Sequence, residues 1–137
     1  MKPDYIKRFE SLGIGMFVHF GLYSTLGRGE WVYTSMSLEE QKNYPSLINQ
    51  FKVSPTWAKD IVKTAKDAGA KYITLTTRHH EGFSLYDTCG LNTYDAPHSP
   101  TGRDLVREFV DECNKNGIVP FFYHTLLDWY QESYKED

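Results

Sequence analysis

The chain has 137 residues, 40% hydrophobic and 24% charged, which fits one soluble globular domain over 1–137 and is too short for a closed eight-fold β/α barrel of about 250 residues. Fifteen Lys and Arg against 18 Asp and Glu give a net charge of -3, which argues against a nucleic-acid partner that tracks phosphates. No apolar run nears the roughly 20 residues that cross a bilayer, and the opening MKPDYIKRFE lacks the apolar core of a secretory signal, so the expectation is a cytoplasmic protein with no membrane partner.

In chain order, the first strand signal is the continuous apolar run from Ile14 to Phe20, of the kind buried on both sheet faces. The segment from Gly27 to Val53 is weakly patterned. Within it, Ser37 followed three residues later by Glu40 makes a capping box and predicts a short helix over residues 37–49. Trp57, Ala58, Ile61, Val62 and Ala65 then fall on one helical stripe, with Ser54 as predicted N-cap, Pro55 at the first helical position and Gly69 as the stop. A second strand follows over Tyr72–Thr77.

The next stripe, Leu105, Val106, Phe109, Val110 and Cys113, repeats the first at a constant offset, and Gly117 repeats Gly69. Thr101 or Gly102 stands near its start and Asp104 in its first turn. The third strand is predicted over Ile118–Tyr123. The order β, loop, α, β, loop, α, β predicts an α/β fold with three parallel strands joined by right-handed crossovers. The only two cysteines, Cys89 and Cys113, show no paired spacing and read as free thiols.

In parallel β/α architectures the chemistry collects beyond the carboxyl ends of the strands. Here those ends carry His19, then His79 and His80, then His124. A single half-buried histidine is ordinary, whereas four at one sheet edge point to a shared site. Three uses compete. Imidazoles with Asp87 or Asp128 could bind a metal, although adjacent His79 and His80 point to opposite faces unless the strand bends. Acid and base catalysis is the second, without a Ser or Cys nucleophile in a recognisable context. The third is sugar recognition, which needs polar side chains for vicinal hydroxyls and an aromatic plane for the apolar ring face. His19, Glu30, His79, His80 and Tyr123 with Trp31 supply that set.

The runs GIGMFVHFGLYS, GEWVY, DAGAKYITLTTRHHEGFSLYDT and GRDLVREFVDECNKNGIVPFFYHTLLDW resemble, in order and spacing, the amino-terminal part of the catalytic barrel of the α-L-fucosidases of glycoside hydrolase family 29. The likeness covers nearly the whole chain. It implies that His19, Glu30, Trp31, His79, His80 and Tyr123 bind fucose. Arg78 and Glu81 flank the histidine pair where the family often has Lys and Asp, a charge-preserving departure. The resemblance further implies a retaining glycoside hydrolase acting on fucosylated oligosaccharides, with no cofactor and no metal.

The family's nucleophile and acid/base carboxylates lie beyond the third strand, outside these residues. The sequence therefore reads as a partial (β/α) barrel, truncated relative to a full TIM barrel. Asp128 and Glu30 are the local candidates for the two catalytic carboxylates that retention needs. A fucose-binding module that has lost the chemistry is the alternative. Three strands without neighbours leave sheet edges and a strand face open, which predicts a homo-oligomer that buries the Phe and Tyr residues of the outer strands and the WYQESY segment. A neighbouring subunit could then complete the active site.

Overall fold

The computed structural model describes residues 2–134. Three strands, β1 (Gly15–Val18), β2 (Tyr72–Arg78) and β3 (Val119–His124), form one parallel sheet in the order β1-β2-β3. Four α-helices accompany it: α1 (Asp4–Leu12), α2 (Leu38–Asn43), α3 (Trp57–Asp67) and α4 (Leu105–Asn116). The chain is thus an α/β protein whose helices α3 and α4 provide the two crossovers between parallel strands.

Phe17 pairs with Thr74, Thr74 with Phe121, and Thr76 with Tyr123. Because side chains alternate along a strand, these residues share one sheet face, and Ile73, Leu75 and Phe122 share the other. The second face meets the two predicted stripes. Trp57, Ala58, Val62 and Ala65 of α3 and Leu105, Phe109 and Cys113 of α4 are buried there with Ile73 and Leu75. Each fully buried Leu or Phe stabilises the fold by about 1.5–3 kcal/mol. Both cysteines are free, Cys113 inside and Cys89 exposed.

The helix stops follow the sequence, while α4 starts later than expected, with Asp104 as its cap rather than in its first turn. Asp104 caps α4 by accepting the Arg107 amide at 2.8 Å, and Gly117, at φ 68°, lets the Ile118 amide turn back to the Cys113 carbonyl at 3.0 Å. The same backward bond, Ala70 to Ala65 at 2.9 Å, closes α3. At the start of α3 the prediction needs correction: Ser54 accepts the Thr56 amide at 3.2 Å as a cap would, but the regular helix begins only at Trp57. The capping box forms as read, with Ser37 and Glu40 bonded reciprocally. The helix it starts is shorter than expected, because from Tyr44 to Gln50 the chain tightens into a 3-10 helix carrying Pro45.

Helix α1 was not anticipated. It buries none of its residues fully, yet Phe9 sets its ring 5.5 Å from that of Tyr72 and 5.7 Å from that of Phe121, so α1 lies over the sheet face opposite α3 and α4. The rest of that face stays partly open, so the expectation of strands buried on both faces holds for β2 but not for the outer strands. Phe17 of β1 is 50% exposed, and Phe122 of β3, on the opposite face, is 52% exposed. Among the described residues no helix is long and apolar enough to cross a membrane.

Candidate functional site

The site forms where the three strands end. His19 follows β1 on the face that carries Phe17, and Tyr123 reaches the same face from β3. Between them β2 breaks register between Thr76 and Arg78 and passes directly into a turn, in which the Gly82 amide bonds the His79 carbonyl at 3.0 Å. This irregularity brings the adjacent imidazoles side by side, their ring centroids 4.3 Å apart.

His79 is the hub. Its ring lies 5.5 Å from His19, 5.8 Å from Tyr123 in a stacked arrangement, 5.6 Å from Tyr23 and 6.3 Å from Trp31. Trp31 in turn sits 5.0 Å from His80. Five of the six residues singled out for sugar binding therefore gather in one cluster. The sixth, Glu30, is half-buried in the turn that presents Trp31, and its negative charge acts on both His79 and Tyr23.

The electrostatics favour uncharged imidazole. Burial, reinforced by His80 and His19 and opposed by Glu30, pushes the His79 pKa down to about 4. Burial also lowers that of His80, against a smaller upward pull from the Leu127 carbonyl. Neutral rings each offer one donor and one acceptor nitrogen, the complement of a hydroxyl-bearing ligand. His79 Nδ1 is buried and has no hydrogen-bond partner among the described residues. Nor does any group of three or more His, Cys, Asp or Glu among them have the arrangement to hold a metal ion.

The carboxylates divide by role. Asp128 pairs with Arg78 and accepts the amides of Tyr130 at 2.9 Å and Gln131 at 3.1 Å, so both its oxygens are occupied in tying the turn after β3 to the end of β2. Glu81 is buried. It accepts the Leu22 amide at 2.9 Å, the Tyr23 amide at 3.3 Å and the Tyr44 hydroxyl, which pins the turn after β1 beneath the histidine pair. Asp87 is exposed and accepts the Cys89 amide at 2.8 Å within its own turn.

His124 ends β3 but belongs to the opposite face, its ring 6.2 Å from Tyr86. The fifth histidine, His98, pairs with buried Asp95. Besides Tyr23, two residues enter the site that the sequence did not single out for it. Trp129, read as part of an interface segment, places its ring 5.4 Å from Trp31 and 5.3 Å from His80, and stacks on Tyr33 at 5.1 Å. Thr125, a buried residue just past β3, meets His80 Nδ1 at 2.6 Å. Its only sequence signal was its place one residue beyond a strand end.

Comparison with known proteins places the chain in a family. The family profile described as Alpha-L-fucosidase matches residues 2–137. The tissue alpha-L-fucosidase of Bos taurus is 30% identical over 94% of this chain and 31% of its own. Among solved structures, alpha-L-fucosidase isoenzyme 1 from Paenibacillus thiaminolyticus is 39% identical with a TM-score of 0.82, covering 92% of this chain and 30% of that one. A family 29 alpha-L-fucosidase from Bacteroides thetaiotaomicron is 30% identical with a TM-score of 0.83, over 98% and 32% of the two chains. The chain thus spans about a third of the length of the relatives it matches. By a profile match that runs through all three strands and every residue of the histidine cluster, this chain belongs to the alpha-L-fucosidase family.

Proposed function

We propose that the chain acts within a retaining glycoside hydrolase that releases terminal α-L-fucose, and that its own contribution is to hold the fucose ring. His19, His79 and His80 take the hydroxyls, Glu30 bonds a further one, and Trp31 and Tyr123 cover the ring's apolar edges. The observation that carries this reading is the gathering of imidazole and aromatic rings, 4.3 to 6.3 Å apart, at the carboxyl ends of three parallel strands. The sheet is read as the first three strands of a (β/α) barrel whose interior-facing side carries Phe17, Phe121 and Tyr123.

Retention needs two carboxyl groups about 5 to 5.5 Å apart across the scissile bond. Glu30, half-buried beside the cluster, is the proposed acid/base carboxylate of this chain. Asp128, proposed from the sequence as a nucleophile, is better suited to holding the turn after β3, because Arg78 and two amides already claim its oxygens. The second carboxylate then comes from outside residues 1–137, and a homo-oligomer that pairs the open sheet faces is one way to bring it in.

Hydrolysis of an aryl α-L-fucoside, measured beside calorimetric titration with L-fucose, tests the reading. Binding and turnover that both fall in Glu30→Gln support it. Binding without turnover assigns the chain to sugar recognition alone, and no binding refutes the site. Sedimentation showing a stable monomer at micromolar concentration refutes the oligomer.

A further inference from the structure

We propose that Thr125 fixes the tautomer of His80, so that the ring meets a sugar hydroxyl through an unprotonated Nε2 that can only accept a hydrogen bond. The inference rests on the fucose reading of the site and adds to it the direction of one contact.

His80 Nδ1 lies 2.6 Å from Thr125 Oγ1, and the Thr125 hydroxyl points its proton at the Leu127 carbonyl, 3.3 Å away. A carbonyl can only accept, and a threonine hydroxyl has a single proton. If that proton goes to Leu127, the proton between Thr125 and His80 must belong to Nδ1. The chain then runs Nδ1–H to Oγ1 and Oγ1–H to carbonyl, every proton facing a lone pair. The reverse tautomer turns the hydroxyl toward Nδ1 and takes its proton away from Leu127. Leu127 draws the imidazole in the same sense, since its carbonyl favours a protonated ring nitrogen. Thr125 is placed rather than free: it is buried, and its amide donates to the Arg78 carbonyl at 3.2 Å. The His80 carbonyl accepts the Trp129 amide at 2.7 Å, so the ring and its partner hang from the same pair of strand ends.

A neutral imidazole carries one proton, and with it on Nδ1 none is left for Nε2. Nε2 has no hydrogen bond among the described residues, and the half-buried ring is flanked by Trp31 and Trp129. What it accepts must be a donor, which a hydroxyl is and a fluorine is not. Thr125 is thus a positioning residue that makes the His80 side of the cluster selective for hydrogen-bond donors.

The test begins on the whole chain at pH 7 with no sugar present, by 15N NMR of the histidine rings. A pyrrole-like Nδ1 and pyridine-like Nε2 for His80 support the proposal, and the opposite pattern overturns it. Thr125→Ser should keep the pattern and Thr125→Val should lose it; a Val variant with the pattern intact removes Thr125 from the role. The second arm titrates L-fucose and its 2-, 3- and 4-deoxyfluoro analogues. For one position the fluoro sugar should bind about tenfold more weakly than fucose, and Thr125→Val, but not Thr125→Ser, should reduce that discrimination. Equal discrimination in both variants overturns the selectivity. If fucose itself does not bind the parent chain, the sugar reading fails, while the spectrum of the free protein still decides the tautomer.

Discussion

Replacing Glu81 by Gln should change how stability depends on pH, in an amount that follows from where the carboxylate sits. Glu81 is 3% exposed beneath the histidine pair, and burial pushes its pKa from the ordinary 4.5 up to about 7, despite the amides of Leu22 and Tyr23 and the Tyr44 hydroxyl that favour its ionised form. Between those two values the folded chain holds a proton that the unfolded chain has released. The resulting stabilisation is fully present below pH 4.5 and is lost as pH rises through about 7. At about 1.36 kcal/mol per pH unit the interval amounts to about 3 kcal/mol.

Gln keeps an acceptor for only one of the two amides, which bond different oxygens of Glu81, a loss that lowers the variant's stability by a pH-independent amount. It cannot titrate. Urea unfolding of the parent and Glu81→Gln from pH 4.5 to 7.5 should therefore give a difference, parent minus variant, that falls by about 3 kcal/mol across the range, all other titrating groups cancelling. In the variant alone the opposite slope emerges. The His79 pKa is depressed from 6.5 to about 4, so its contribution is complete above pH 6.5 and lost as pH falls toward about 4. Parent and variant curves that run parallel from pH 4.5 to 7.5 would refute the assignment of a protonated Glu81.

Asp128→Ala leaves the Arg78 guanidinium, only 21% exposed, without its partner and frees two turn amides; a loss of about 3 kcal/mol in urea unfolding is expected, with a smaller loss for Asp128→Asn. Gly82→Ala puts a Cβ 2.5 Å from Asp128 Oδ1 at a residue whose φ is 78°, so about 2–4 kcal/mol should be lost, again by urea unfolding. Trp31 is 51% exposed and stands against His80 and Trp129. Its replacement by Ala should weaken fucose binding about tenfold by calorimetry while unfolding shifts by less than about 1 kcal/mol.

Much of the fold was legible because its signals are local. The α3 and α4 stripes repeat with the period a helix imposes, their stopping glycines mark the helix ends, and the three apolar runs mark the strands. Only β2 is largely buried, while β1 and β3 keep exposed residues such as Phe17 and Phe122. Helix α1 escaped because its contribution is not local. Phe9 has meaning only against Tyr72 and Phe121, which arrive more than sixty residues later, and no fully buried stripe marks the segment. The same distinction separates the site residues. His19, His79, His80 and Tyr123 stand out by chemical type and place at strand ends, whereas Trp31, in the weakly patterned segment after β1, stands out by chemical type alone. Thr125 and Trp129 acquire their roles from the turn after β3, whose path depends on Asp128 holding Arg78 and the Tyr130 and Gln131 amides.

The adjacent histidines show how far one irregularity reaches. In a regular strand, neighbouring side chains diverge to opposite faces, as Tyr123 and His124 do: one stacks toward His79 and the other lies near Tyr86 across the sheet. Had β2 continued unbroken, His79 would have shared the helix-packed face with Leu75, leaving His80 as the one imidazole to meet His19. The register shift between Thr76 and Arg78 removes that alternation, and the Arg78 side chain stabilises the departure by bonding the Gly82 carbonyl at 3.2 Å and pairing with Asp128. Glu81, two residues after His79, then points inward to the turn behind His19. The Arg78–Asp128 pair and the buried Glu81 carboxyl around the cluster are thus the means by which two consecutive residues come to face one ligand, and for that reason their removal should register in stability and in sugar binding together.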